Sequence, residues 1–127
     1  SVTGSAVTDF VSPYGDYNSS VINAVKQYYQ SLRTVDTGYN TKDNFDPYLL
    51  KVQNILNTTT TADVTEWVKQ AQANNAWLIL VYHRIATDAG QFDTYPTMFA
   101  QQLQSIQNSG ITVETMHDAL TEIKAQL

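Results

Sequence analysis

The apolar positions along the chain recur at two spacings, one typical of helices and the other of strands. Asp63 follows Thr60 at the spacing of a capping box, just before a run of apolar residues at helical spacing. Asp118 follows Thr115 in the same way near the end of the chain. We therefore predict four helices, which begin after Ser19 or Ser20, after Thr60, at Pro96 and after Thr115.

Between these helices lie segments typical of strands. The predicted strands are one that ends at Val11 and four that span Leu32–Val35, Tyr48–Leu56, Ala76–Tyr82 and Ile111–Val113. Because the Ala76–Tyr82 segment is apolar on both faces, we expect it to be covered on both sides and to lie in the centre of the sheet. Strands that alternate with helices predict an α/β fold with a mostly parallel sheet and flanking helices. In such folds functional residues lie at the carboxyl ends of the strands.

Composition narrows the classes of function. The 127 residues are 43% hydrophobic and 15% charged, which is typical of one globular domain. A net charge of −5, with only seven Lys and Arg residues, provides no basic surface for nucleic acid or an anionic membrane. The longest apolar run, Ala76–Tyr82, is shorter than the roughly 20 residues of a membrane-spanning helix. Thr, Asn, Gln, Ser and Tyr are abundant while Lys and Glu are scarce, a balance that favours a secreted protein.

Histidines are the first candidates for chemistry. Cysteine is absent and the two histidines, His83 and His117, lie far apart in the sequence, so we expect no zinc site within this chain. His83 directly follows the Ala76–Tyr82 segment, which places it at the carboxyl end of a strand. By strand alternation it shares a face with Ile79 and Val81. These observations leave two interpretations open, a structural histidine and a catalytic one.

Two other candidates also follow predicted strands. Tyr14 lies in a turn where Pro13 fixes φ and Gly15 permits a positive φ, so the backbone amides of the turn can be exposed. Asp36 lies just past the Leu32–Val35 segment, at the same edge if the sheet is parallel. The residues alone leave Asp36 open between a solvated loop carboxylate and a functional group.

The segments Asp9–Asn18 and Trp77–His83 resemble the third and fifth motifs of the polysaccharide deacetylases of the NodB-homology class, carbohydrate esterase family 4. They stand in the family's order, about 65 residues apart, with a helical segment before the second. The family's last helix, strand and helix are similar to the closing segments Tyr95–Phe99, Gly110–Val113 and Asp118–Leu120. Residues 1–127 therefore look like the carboxyl-terminal half of such a domain.

The resemblance implies part of a distorted (β/α) barrel in which a divalent metal, usually zinc, polarises the acetamide carbonyl of an N-acetylated glycan and activates a water. It implies that His83 protonates the leaving amine and that Asp36, near the family's fourth motif, orients His83. The backbone amide of Tyr14 corresponds to the group that stabilises the tetrahedral oxyanion. Pro13 and the Tyr14 ring correspond to part of the substrate groove, and Val81 to the apolar residue that lines the acetate methyl pocket.

Two motifs of the family are missing from these 127 residues. They are TFDD, which carries the catalytic base and a metal-binding Asp, and HxxxH, which carries two metal-binding histidines. The resemblance thus predicts a chain with the acid and oxyanion side only, which is inactive and metal-free alone and needs the amino-terminal half of the domain as its partner. The family's third motif also often begins with an arginine that pairs with the base. Val11 stands at that position here, and Arg33 is a candidate to replace it.

Three hypotheses of function follow from these observations. The first is part of an extracellular carbohydrate de-N-acetylase that acts on peptidoglycan, chitin or poly-N-acetylglucosamine. The second is a non-catalytic glycan-binding or structural module with the same fold. The third, an intracellular α/β domain with an unrelated ligand, requires both motif matches to be coincidental. TFDD and HxxxH motifs upstream of Ser1 would favour the enzyme over the module.

Overall fold

The computed structural model describes residue 4 and residues 6–127 of the chain. These residues form four strands, which are β1 Asp9–Val11, β2 Ser31–Thr37, β3 Leu50–Asn54 and β4 Leu80–Val81. They also form four α-helices, which are α1 Ser19–Val25, α2 Thr61–Ala73, α3 Pro96–Ser109 and α4 Met116–Gln126. All strand pairs are parallel, the sheet order is β1-β2-β3-β4, and the sheet curls into a half-barrel flanked by helices. The predicted α/β fold is confirmed.

Local sequence signals set the ends of the three longer helices. Thr60 Oγ1 accepts a hydrogen bond from Asp63 N at 3.1 Å and Asp63 Oδ2 accepts one from Thr60 N at 2.8 Å, so α2 begins with the predicted capping box. Thr115 Oγ1 accepts likewise from Asp118 N at the start of α4. Gly110, with a φ of 71°, ends α3 in the left-handed conformation. Within the described residues no helix is both long and apolar enough to cross a membrane.

Helix α1 differs from its prediction at both ends. Its N-cap is Asn18, whose Oδ1 accepts a hydrogen bond from Val21 N at 3.0 Å, rather than either of the two serines that follow. Asn caps helices as well as Ser does, and it comes first in the chain. The helix ends at Val25, and Tyr28 beyond it is 77% exposed. The helical spacing of the apolar residues predicts one stripe on this helix, and that prediction is wrong at Tyr28; the predicted stripe consists of Val21, Ile22, Val25, Tyr28 and Tyr29.

Apolar side chains cover both faces of the β3–β4 half of the sheet. One face carries a buried cluster, which consists of Leu50, Val52 and Ile79. Met116 of α4 and Val81 pack against this cluster. Because side chains alternate between faces, Tyr82 lies opposite to Val81, and its ring centroid is 5.0 Å from that of Phe99 in α3. Helix α2 buries an apolar stripe of its own, which consists of Val64, Val68 and Ala71.

The segment Ala76–Tyr82 is not the long central strand that its apolar pattern predicts. Only Leu80–Val81 pairs with β3, and this two-residue strand is last in the sheet order. Trp77 instead forms an antiparallel bridge with Asn40, in which Trp77 N donates to Asn40 O at 2.8 Å. The predicted central position is therefore wrong. An apolar pattern on both faces indicates cover above and below the strand, which is present here, and says nothing about neighbours to its sides.

The segment Ile111–Val113 belongs to no strand, so the fifth strand predicted there is wrong. It links α3 to α4 directly, and Ile111 N donates to Ser109 Oγ at 3.2 Å. Val113 is 75% exposed. β-branched residues favour an extended backbone, but a strand also needs a neighbour, and this segment has none among the residues that the structure describes.

The helical spacing of Phe99, Leu103 and Ile106 predicts one apolar face on α3, but the structure buries a polar side chain next to Leu103 instead. Leu103, which its spacing places on the inner face, is 45% exposed, whereas Gln102 is fully buried. Gln102 Nε2 donates to Thr59 O at 3.0 Å, and Tyr82 OH donates to Gln102 Oε1 at 3.0 Å. Burial raises the pKa of Tyr82 to about 12. Gln102 thus joins α3 to the end of β4 and to the loop before α2.

Candidate functional site at the carboxyl ends of the strands

The turn after β1 carries the first candidate group, the backbone N–H of Tyr14. Gly15 N donates to Ser12 O at 3.0 Å and Asp16 N donates to Pro13 O at 3.2 Å, and these bonds close the turn. The Tyr14 N–H takes no part in them. Tyr14 has a φ of 56° and a ψ of 11°, a left-handed conformation that costs a non-glycine residue roughly 1–3 kcal/mol. Its side chain is fully exposed, so the turn offers both a ring and a backbone donor.

Gly15 allows this turn to lie directly against β2. Its φ is 72°, and a Cβ built on it would overlap Cγ2 of Val35 and lie 3.0 Å from Cγ1 and 3.1 Å from Cβ of the same residue. Below the turn the buried Ser12 donates its hydroxyl to Asp16 O. The position of the Tyr14 backbone is therefore fixed by packing on Val35 and by hydrogen bonds within the turn.

His83 lies two residues beyond the end of β4, after Tyr82, and it is exposed. His83 is therefore not sealed within the core, and its structural and catalytic interpretations both stay predictions. Because all the strands are parallel, His83 and Tyr14 both lie at the carboxyl edge of the sheet. β1 and β4 are the first and last strands, so three strand spacings, about 14 Å along the sheet, separate them. The curl of the half-barrel makes the direct distance shorter than that path.

Val81 supplies an apolar side chain beside His83. It pairs in register with Asn54 of β3 and packs on the buried cluster of Leu50, Val52 and Ile79. The sequence predicts that Val81 and His83 share a face, but β4 ends at Val81, so strand alternation does not extend to His83 and the shared face stays a prediction. Asn54 Nδ2 donates to Val35 O at 2.9 Å, which ties β3 to β2 at this edge.

Asp36 lies within β2 rather than past its end, because β2 is longer than predicted. The β2–β3 register shifts between Arg33 and Thr37, which indicates a bulge. Thr34 is fully buried at this bulge. Its Oγ1 donates to Leu50 O at 2.9 Å and accepts from Asp36 N at 3.1 Å, so one side chain satisfies two backbone groups that the bulge would otherwise leave unpaired.

The Asp36 carboxylate is engaged by Tyr17 and not by His83. Tyr17 OH donates to Asp36 Oδ2 at 2.5 Å, and this hydrogen bond to the charged carboxylate raises the pKa of Tyr17. Among the described residues no hydrogen bond joins Asp36 to His83, and β3 lies between their strands. The structure therefore does not bring these two groups together, and the orienting role of Asp36 stays a prediction.

Arg33 lies beside Val11 in the β1–β2 pair. Its guanidinium is half-buried, which lowers the pKa of Arg33, and its Nη1 donates to Thr34 O at 3.1 Å. Val11 is 48% exposed. Paired residues of neighbouring strands share a face, so Arg33 lies on the Val11 face of the sheet. Its replacement of the motif arginine stays a prediction.

The two histidines lie at opposite ends of the sheet. His117 Nδ1 is 3.6 Å from Asp9 Oδ2 at the start of β1, whereas His83 lies beyond the end of β4. Within residues 4 and 6–127, no three His, Asp or Glu side chains come close enough together to hold a metal ion. The resemblance assigns the metal ligands to motifs outside these 127 residues, so this finding does not bear on the metal centre of the whole domain.

A second polar cluster surrounds Asp9 at the amino ends of β1 and β2. Its carboxylate accepts hydrogen bonds from Ser31 Oγ at 2.7 Å, Thr8 Oγ1 at 3.0 Å and Gln30 Nε2 at 3.4 Å. Burial opposes the charge on Asp9, but these hydrogen bonds together with His117 outweigh burial and lower the pKa of Asp9. This cluster joins α4 to the sheet at the edge opposite to His83.

The sequence analysis missed three residues that surround His83, which are Arg84, Phe92 and Asp93. The ring centroid of Phe92 lies 5.7 Å from that of His83, with the ring planes tilted by 59°. Asp93 Oδ2 accepts a hydrogen bond from Arg84 Nη2 at 2.8 Å. These three residues lie in the loop between β4 and α3, which has no periodic pattern. The one signal in the sequence is that this loop directly follows the candidate histidine His83.

Two cavities in the structure lie away from Tyr14 and His83. A groove of about 520 Å³ between α2 and α3 is lined mostly by polar side chains, among them Thr65, Lys69 and Gln101. A smaller pocket of about 140 Å³ lies beside Trp77 and the end of α4. Neither includes His83, so the candidate site is the open carboxyl edge of the sheet.

This edge carries the exposed imidazole of His83, a backbone donor in a strained turn and, two residues before His83, the apolar side chain of Val81. Their placement follows from the parallel direction of the strands rather than from a cavity. Comparison of the chain with protein-family models, curated proteins and solved structures found no match.

Proposed function

We propose that the chain is the acid and oxyanion side of a carbohydrate de-N-acetylase, a hydrolase that cleaves the acetamide C–N bond of an N-acetylated glycan. The supporting observation is that one edge of a parallel sheet carries both the exposed imidazole of His83 and the Tyr14 backbone N–H that its own turn does not use. Substrates of this class are peptidoglycan, chitin and poly-N-acetylglucosamine. A protein that acts on them works outside the cell or at its surface.

Hydrolysis of an acetamide needs two groups of this kind. Addition of water to the carbonyl carbon turns the carbonyl oxygen into an oxyanion, which a fixed backbone N–H such as that of Tyr14 stabilises. Cleavage of the C–N bond then releases acetate and requires a proton on the departing amine nitrogen. Imidazole is the side chain that most often transfers such a proton, and His83 takes this role in the proposal.

Apolar and aromatic groups beside these two account for recognition of the substrate. Val81 lies at the end of β4, two residues before His83, and offers an apolar surface to the acetyl methyl group. The ring of Tyr14 is fully exposed next to Pro13, where it can stack on a sugar ring. Acetyl recognition and sugar stacking therefore come from opposite sides of the half-barrel edge.

The general base and the divalent metal, zinc in the proposal, belong to the amino-terminal half of the domain, which is the partner of this chain. This division follows from the family motifs TFDD and HxxxH, which these 127 residues lack. The chain contributes its proton donor and its oxyanion donor, and it leaves activation of the water to its partner.

A glycan-binding module without catalysis is the second candidate. It is favoured by two aromatic rings that are exposed at the same edge, those of Tyr14 and Phe92, the latter 54% exposed. The flat apolar face of an aromatic ring can stack on a sugar ring, and two such rings at one edge can bind neighbouring sugars of a glycan. This function needs the rings but not the imidazole of His83.

Binding to the chain itself is the first test. We expect an N-acetylglucosamine oligomer to shift the NMR amide resonances of Tyr14, Gly15, Val81 and His83 in the labelled 127-residue chain. The glucosamine oligomer of the same length lacks the acetyl groups and is the matched control. Equal shifts with both oligomers, or shifts in the groove between α2 and α3 instead, would contradict the proposed site.

Catalysis is tested in the polypeptide that joins this chain to the base and metal residues. We expect His83→Ala to lower turnover by about 10²–10⁴-fold, the range for a positioned general acid, and to leave KM and zinc content nearly unchanged. His117→Ala is the matched control, since that imidazole lies at the opposite end of the sheet. Acetate release and zinc are measured for each variant. Near-normal turnover in His83→Ala, or loss of zinc along with activity, would refute the role of His83.

A further inference from the structure

The loop between β4 and α3 is closed on itself beside His83. We call residues Arg84–Thr94 the strap, and it begins directly after His83. Thr94 N donates to Arg84 O at 2.9 Å and Ala86 N donates to Thr94 O at 3.0 Å, which joins the two ends of the strap. Asn57 N, in the loop after β3, donates to Gln91 O at 3.0 Å. The strap is therefore held at its ends and at its middle.

One carboxylate oxygen connects the start of the strap to its tip. Asp93 Oδ2 accepts hydrogen bonds from Arg84 Nη2 at 2.8 Å, from Arg84 Nε at 3.2 Å and from Gly90 N at 2.8 Å. Asp93 N donates back to Gly90 O at 3.0 Å. The Asp93 side chain is only 16% exposed, whereas Asp88, which also pairs with Arg84, is 79% exposed. We call the group of Arg84, Asp93 and Gly90 the clamp.

The clamp persists at neutral pH. The hydrogen bond from Arg84, and then that from Gly90 N, lower the pKa of Asp93, so the carboxylate is ionised and accepts all three bonds. Hydrogen bonds to an ionised acceptor are also the stronger kind.

Phe92 lies between Gly90 and Asp93, within the part of the strap that the clamp fixes. Its ring lies 5.7 Å from the His83 ring, centroid to centroid, at a tilt of 59°, a geometry within the range of favourable aromatic pairs. An exposed imidazole at the end of a strand exchanges among several rotamers unless another side chain restricts it. Phe92 is the aromatic ring that the structure places against His83.

We propose that the strap positions His83: the clamp holds Phe92 in place, and the Phe92 ring limits the imidazole to one orientation. Phe92, Asp93 and Arg84 are thus positioning residues, which act through His83. In this proposal Phe92 orients the imidazole of His83, a role that the family resemblance gives to Asp36. The Asp36 carboxylate accepts a hydrogen bond from Tyr17 instead. The catalytic consequence, a general acid aimed at the departing amine, rests on the proposed function, but the orientation itself does not.

The test is NMR of the two histidine rings in the labelled 127-residue chain, where His117 serves as an internal reference. We expect a nuclear Overhauser effect between the rings of Phe92 and His83. Phe92→Leu should move the ring-proton resonances of His83 toward their random-coil positions and leave those of His117 unchanged. Phe92→Tyr keeps the ring and should restore the wild-type resonances of His83.

The clamp is tested by a matched pair of variants. Asp93→Asn removes the charged acceptor and should weaken the Overhauser effect between Phe92 and His83, whereas Asp88→Asn removes the exposed carboxylate and should not. If Asp93→Asn fails to fold, Arg84→Gln changes an exposed side chain instead and removes the two hydrogen bonds that Asp93 Oδ2 accepts from Arg84. Equal effects of Asp93→Asn and Asp88→Asn, or no contact between the rings in the wild type, would overturn the proposal.

These outcomes are separable from those for the deacetylase. If the acetylated oligomer leaves His83 unperturbed while the ring contact still depends on Asp93, the proposed function fails and the role of the strap stands. If the oligomer binds at His83 but the ring contact is absent, the proposed function stands and the strap has no positioning role.

Discussion

Replacement of Gly15 by alanine measures how closely the turn after β1 packs on the sheet. Gly15→Ala adds one methyl group at a residue with a φ of 72°. Gly110→Ala adds the same group at a φ of 71°, where no neighbouring atom lies within 4 Å. The two variants therefore share the backbone penalty and differ in the contact that the new methyl makes with Val35.

The magnitudes follow from the two environments. A left-handed conformation costs a non-glycine residue roughly 1–2 kcal/mol, and Gly110→Ala should lose about this amount. At Gly15 the new methyl also overlaps Cγ2 of Val35 and lies 3.1 Å from its Cβ. Rotation of Val35 cannot move its Cβ, and overpacking of this kind costs roughly 1–3 kcal/mol. We therefore expect Gly15→Ala to lose about 2–5 kcal/mol in total.

Urea unfolding followed by circular dichroism measures both losses, provided that the m-values stay equal. Val35→Ala removes both Cγ atoms, so Gly15→Ala should cost less in the Val35→Ala background than in the wild type. Comparison of the two single variants with the double variant should give a coupling free energy of about 1–3 kcal/mol. Equal losses for Gly15→Ala and Gly110→Ala, or no coupling to Val35, would show that the turn does not pack on β2 as described. The reasoning about Tyr14 would fail with it, since that packing fixes the Tyr14 backbone.

Two further predictions concern buried polar groups. Gln102→Leu leaves Thr59 O and the half-buried Tyr82 OH without their partner and should lower the free energy of unfolding by about 2–4 kcal/mol. Gln101→Leu, on the exposed side of α3, is the control and should change it by less than about 0.5 kcal/mol. Similar losses for the two variants in urea unfolding would contradict the role of Gln102. Ser31→Ala removes a hydrogen bond to the Asp9 carboxylate and should cost about 1–2 kcal/mol at neutral pH. Because folding lowers the pKa of Asp9, the stabilisation by its charge is present above the ordinary value of about 3.9 and is lost as the pH falls through the lower folded value. The unfolding free energies of wild type and Ser31→Ala should therefore converge in acid, and a gap that stays constant with pH would count against this account.

Elements whose signals lie in adjacent residues could be predicted from the sequence. The capping box of Thr60 and Asp63 needs only the residues around it and is present as predicted, and the left-handed Gly110 that ends α3 is likewise a local signal. The positions of His83 and Tyr14 at one edge of the sheet also follow, because alternation of strands and helices makes the strands parallel. These features required no knowledge of which side chains meet in space.

Features that depend on distant partners could not be predicted. Asp36 lies inside β2 because the buried Thr34 supports a bulge by bonding to Leu50 O, a contact across two strands. Gln102 is buried because its amide meets groups from two other elements, and a polar residue gives no apolar signal for burial. The residues around His83 could not be predicted either, because Phe92 and Asp93 meet His83 and Arg84 only through the folded shape of the strap.

The sequential order of the strands bears on how the fold can assemble. Each strand pairs with the next strand in the chain, and paired residues such as Asp9 and Ser31, or Gln53 and Leu80, are fewer than 30 positions apart. Contacts between residues close in sequence cost little loop entropy, so no pairing has to wait for the two ends of the chain to meet. The sheet can therefore grow from a first pair by one strand at a time. For the same reason, addition or removal of a strand at either edge of the sheet would leave the remaining strand pairs intact.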